Sequence, residues 1–185
     1  MSIYGGKELA EGFRTVRKNT IQVAEDIPES KYDFVPAPGC KSVAQMLAHV
    51  AVATNIWDEI HRKQRLTTLA GVNFQEWGAR IAAEEAKLTT KAAIIDRLRT
   101  EGEKFAGWLE SLTPEFLAEI VTDFDGKTQK TRFERILSAK EHEMHHRGQL
   151  MLVERQLGIV PHLTRQFQER MAQTQATAKA SASAS

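Results

Sequence analysis

The 185 residues, 42% hydrophobic and 26% charged, are enough for one ordinary domain that buries a core without disulfide or metal staples, so a metal held here would serve chemistry rather than folding. With 25 basic against 24 acidic side chains, a formal net charge of +1 and no dense Lys/Arg stripe, nothing attracts a polyanion, and nucleic acid is not an expected partner. A single cysteine, Cys40, precludes an internal disulfide and points to the cytoplasm; no run approaches the roughly 18 apolar residues of a membrane span, and no signal or transit peptide is expected.

The chain reads as helices separated by turn signals, with no convincing strand. Leu9, Phe13, Val16 and Val23 recur at helical spacing and predict a first helix from about Gly6 to Asp26. Residues 28 to 41, with three prolines and Gly39, form a loop. Ser42 is an N-cap for a second helix to about His61, striped by Val43, Leu47, Val50, Thr54 and Trp57. A short helix is expected around Phe74 to Lys87, weakened by Gly78. Thr89-Thr90 caps a long helix to about Leu112, with Ile94, Ile95, Leu98, Phe105 and Leu109 inward. Thr113-Pro114 starts a short one, and Asp125-Gly126 marks a tight turn. Thr131 and Glu134 make a capping box for the last long helix, which runs to Leu157 before Gly158 and Pro161. Four long amphipathic helices imply an all-α four-helix bundle with short extra helices over residues 1–170. The Gln/Thr/Ala/Ser-rich tail, 171–185, lacks apolar area to bury and is expected to be disordered.

Three of six histidines fall within five residues, in Glu141-His142-Glu143-Met144-His145-His146. His142 and His146, four apart, share a helix face and can bind one ion together. His145 points roughly 100° from His146 and lies outside that pair, though at spacing three it forms a competing, less favoured pair with His142. His49 flanks the apolar stripe of the second helix and so points toward the bundle interior, where helical proteins build metal sites. His49, His142 and His146 are therefore the expected metal ligands. His61 and His162 read as a helix-end residue and a post-helix turn residue.

His142-Glu143-Met144-His145-His146 matches the H-E-x-x-H zinc-protease pattern, in which Glu143 would be general base. The longer metzincin continuation is absent, since Gln149 and Leu152 stand in place of its glycine and third histidine, and no strand offers to hold a peptide. Metalloprotease is the minor alternative. Three blocks instead resemble the DinB family (DinB/YfiT-like proteins): Tyr32-Asp-Phe-Val-Pro-Ala-Pro-Gly-Cys-Lys-Ser-Val-Ala-Gln-Met-Leu-Ala-His49-Val, His142-x-x-x-His146-Arg-Gly-Gln149-Leu, and Leu157-Gly-Ile-Val-Pro161. The resemblance spans nearly the whole chain up to Pro161. It implies a four-helix bundle, often a homodimer, with a three-histidine metal site whose ligands would be His49, His142 and His146.

Three neutral imidazoles leave an ion's double charge uncompensated and leave coordination positions open, the pattern of a catalytic site. Zinc and nickel suit imidazole best, and manganese or iron are compatible. Hydrolysis by an activated water, or transfer from an activated thiol, follows; the resemblance tilts toward low-molecular-weight thiols and a small-molecule substrate. A non-catalytic metal- or small-molecule-binding stress protein is the alternative. Glu143 is expected to be solvated or to support a ligand, Gln149 to contact a ligand or pack, Arg147 to pair at the surface, and Gly148 to allow close helix contact. Cys40, Met144, Met151 and Trp57 read as packing.

Overall fold

The structure is a computed structural model that describes residues 4–183. Helix α1 (Gly6–Asp26) begins where Glu8 Oε2 accepts the Gly5 N–H at 2.9 Å, and its stripe of Leu9, Phe13, Val16 and Val23 is buried. Helix α2 (Val43–Trp57) starts from a reciprocal Ser42–Gln45 box and continues through a π-helical turn, Asp58–Lys63. Helix α3 (Phe74–Glu85) is capped by Asn73 and buries none of its residues. Helix α4 (Lys91–Glu110) is capped by Thr90 and buries all five of its predicted inward residues. The short α5 (Pro114–Ala118) has Thr113 as cap and proline in its first turn. Helix α6 (Arg132–Gln156) opens on the Thr131–Glu134 box, and Gly158 takes φ +78° just beyond its end.

Helices α1, α2, α4 and α6 form the four-helix bundle. The first two each lie against both α4 and α6, and so occupy opposite corners. One core cluster fills the end built from Val23, Ile27, Leu47, Ile94, Leu98 and Leu150, and a second fills the end built from Phe13, Phe105, Leu109 and Ile136. Among the described residues, no helix is long and apolar enough to cross a membrane.

Two expectations are corrected. The chain contains a small antiparallel hairpin, β1 (Ile120–Thr122) with β2 (Gln129–Thr131), in which Ile120 faces Thr131 and Thr122 faces Gln129. Three-residue strands are too short to display a period of two, so only their turn at Asp125-Gly126 was visible in sequence; Asp125 Oδ1 accepts two backbone N–H groups there, and Gly126 takes φ +67°. The segment after Met171, expected to be disordered, instead continues helix α7 (His162–Ser183). Residues 171–178 are exposed, so packing does not hold them. The Ala, Gln and Lys of this stretch are strong helix formers, a local preference that the argument from missing apolar area leaves out. Residues 184 and 185 of the expected tail lie outside the described residues.

Candidate metal centre

α2 and α6 are neighbours in the bundle, and both hold their side chains in fixed helical rows. His49 sits two turns into α2, on the flank of its apolar stripe; His142 and His146 sit one turn apart in the middle of α6. One ligand atom from each of the three lies within 4.8 Å of the other two. His49 Nε2 and His142 Nε2 stand 3.1 Å apart, and the three ring centroids are separated by 5.1, 5.0 and 4.6 Å. All three rings are half-buried.

The donor set suits a borderline metal ion. Nitrogen ligands at about 2.0–2.1 Å from a tetrahedral zinc stand about 3.3 Å from one another, close to the His49–His142 separation. Burial pushes the His142 imidazole down to about 4, helped by the neighbouring His146, His49 and His145. Burial also lowers His146, against an opposing hydrogen bond to Gln149. Both rings are thus neutral at neutral pH, with lone pairs available for a metal.

The outward nitrogens are also engaged. His49 Nδ1–H donates to Glu85 Oε1 at 2.7 Å, and His146 Nδ1–H donates to Gln149 Oε1 at 2.8 Å. Each bond leaves the Nε2 of its ring as the free lone pair. Trp57 stands against His142 with centroids 5.7 Å apart, and its indole N–H reaches Ser138 Oγ and the Arg135 carbonyl. That ring is a wall of the site as well as packing.

The remaining sequence candidates fall elsewhere. His145 is exposed and outside the ligand group. Glu143, expected to be solvated or beside a ligand, is buried and bonded by Arg17, so it faces away from the imidazoles and cannot act as the base of an H-E-x-x-H site. Its carboxylate is taken up by the Arg17 guanidinium in the bundle interior, which is why the pattern in sequence does not become the site in space. His61 and His162 are both buried rather than peripheral: His61 Nδ1 accepts from Arg132 and is pushed down to about 3 by burial, while His162 Nε2 meets Asn19 Oδ1. Met144 is 44% exposed, Cys40 is exposed, and a Cβ on Gly148 would meet open space rather than another helix. Arg147 is half-buried rather than paired at the surface, with its Nε and Nη1 lacking hydrogen-bond partners. Glu85 carried no signal in sequence: it lies 36 positions from His49, among several acidic residues at the end of a weakly patterned helix.

The model of the DinB superfamily matches residues 13–150, a stretch that holds all three histidines. The fold is similar to that of YfiT from Bacillus subtilis, described as a probable metal-dependent hydrolase with an unusual four-helix bundle topology. The likeness has a TM-score of 0.65 at 15% identity, over 86% of this chain and 91% of that one. It is also similar to the DinB-like protein YjoA from Bacillus subtilis, with a TM-score of 0.60 at 22% identity, over 82% of this chain and 92% of that one. No curated protein matches the sequence.

Proposed function

The chain belongs to the DinB superfamily, and from that premise we propose that it is a metal-dependent enzyme whose His49, His142 and His146 hold one divalent ion, zinc or nickel, that activates a small nucleophile. The observation that carries this reading is the convergence of the three imidazoles from two helices, with no carboxylate or thiolate in the group. Three neutral ligands leave the ion's charge and at least one of its positions open. A bound ion would supply Lewis acidity, lowering the pKa of a water or a thiol in that open position.

The protein's own groups do the rest. Glu85 and Gln149 hold two rings with Nε2 directed inward, the Trp57 ring limits access beside His142, and burial keeps His142 neutral. A hydrolase agrees with the description of the similar YfiT; transfer of a low-molecular-weight thiol to an electrophile uses the same open position. The metalloprotease reading loses its base, because Glu143 is committed to Arg17.

Elemental analysis of untagged protein, followed by turnover of ester, amide and electrophile panels with and without bacterial thiols, tests the proposal. Equimolar metal with turnover that vanishes on chelation is expected. Turnover without thiol marks a hydrolase, and turnover only with thiol marks a transferase. Metal-free protein, or loaded protein inert on every panel, counts against it.

A further inference from the structure

We infer that Glu85 is a positioning residue for the metal centre: its carboxylate, reaching from the end of α3, fixes the tautomer and ring orientation of His49. The inference rests on the three-histidine reading and adds to it a residue from a third helix.

Glu85 is 17% exposed at its side chain, and both its oxygens are committed. Oε1 accepts the His49 Nδ1–H at 2.7 Å, and Oε2 lies 3.5 Å from Lys41 Nζ. A neutral imidazole carries one proton. With that proton on Nδ1, facing the carboxylate, Nε2 must be the lone pair, and Nε2 is the atom that faces His142 at 3.1 Å. Carboxylates hydrogen-bonded to the far nitrogen of a ligating histidine also make the ligating nitrogen more basic.

α3 has no fully buried residue: Trp77 packs near its start against the cluster of Ile60, Leu69 and Val121, and Leu88 just beyond its end packs against the cluster that holds Leu47 and Ile94. Its last turn adds polar contacts, Glu84 to Arg97 and Glu85 to His49 and Lys41. The Lys41 contact offers a competing account, in which Glu85 merely clamps α3 to the start of α2. The two accounts separate because Lys41 touches only Oε2.

The test is a cobalt titration of the metal-stripped full-length chain and its E85A, E85Q and K41M variants. It is paired with nitrogen NMR of the His49 ring in the absence of metal, which reads which nitrogen bears the proton. E85A is expected to bind cobalt about 10–100-fold more weakly and to lose the Nδ1–H preference of His49. E85Q, whose amide oxygen can still accept the bond, keeps that preference and falls between E85A and the unaltered chain. K41M stays within about twofold, as for loss of a part-exposed ion pair. The inference is overturned if E85A binds cobalt as tightly as the unaltered chain, if K41M matches the loss in E85A, or if His49 of the unaltered chain carries its proton on Nε2. That last measurement needs no variant to fold. A chain that takes up no cobalt defeats the metal reading instead, and the ring proton still reports on Glu85.

Discussion

Arg17 and Glu143, 126 positions apart in sequence, form an ion pair in the interior of the bundle, with Arg17 Nε at 2.9 and 3.0 Å from the two carboxylate oxygens. Arg17 also donates to the carbonyls of Leu98 and Val50, so one side chain of α1 ties together α4, α2 and α6. Glu143 is one position along from His142, and Arg17 is drawn against Gly102. Removing either partner strands a buried charge. R17M or E143Q is expected to lower unfolding stability by about 3–5 kcal/mol, read as a lower denaturant midpoint, with the R17M/E143L double variant costing less than either single change. E143Q should keep its bound metal, whereas a loss of metal would place Glu143 in the centre after all.

The three imidazoles predict a simple pattern of metal content. H49A, H142A and H146A each fall well below one equivalent by elemental analysis, while H145A stays at the level of the unaltered chain, since its ring is exposed and outside the group. Chelation should leave the far-ultraviolet circular dichroism unchanged, because apolar clusters form the core without the centre. Loss of helix on chelation would make the metal structural.

Glu154 gives a pH dependence with a definite sign. It is fully buried, neither oxygen has a hydrogen-bond partner, and burial together with the charge of Asp26 raises its carboxyl from 4.5 to about 7. Between these values the folded chain keeps a proton that the unfolded chain has lost, so stability falls as pH rises from about 4.5 to 7 and then levels. At about 1.4 kcal/mol per pH unit over this window, E154Q should be more stable than the parent by about 3.5 kcal/mol at pH 8 and equal to it at pH 4. Thermal melts across this range check it, and parallel curves for the two proteins would refute it.

Three glycines separate close approach from mere flexibility. A Cβ on Gly6 would stand 2.5 Å from the Leu109 carbonyl oxygen and 2.7 Å from that of Leu112, and one on Gly102 would stand 2.7 Å from Arg17 Cγ. G6A and G102A are expected to cost about 1–3 kcal/mol through overpacking. G148A meets open space on an exposed helical face and should instead gain about 0.5–1 kcal/mol from helix propensity. Chemical denaturation of the three variants is the measurement, and a stabilised G6A would contradict the tight packing of α1 on the end of α4.

Much of this protein was determined by local, periodic information. Apolar residues such as Leu9, Phe13 and Val16, or Ile94, Leu98 and Phe105, repeat at the helical period because each helix must bury one face, and caps such as Ser42 and Thr131 mark their ends because first-turn N–H groups need acceptors. The pairing of His142 with His146 follows from the same rise per residue, and His49 could be placed on the inner flank of its helix. What the tertiary structure alone decided is where unrelated segments meet: Glu85 behind His49, Arg17 on Glu143, His61 under Arg132, and the burial of Glu154. Those partners lie tens of residues apart and obey no repeat. An acidic residue reads alike in sequence whether water, an arginine or an imidazole surrounds it, and only packing chooses among them.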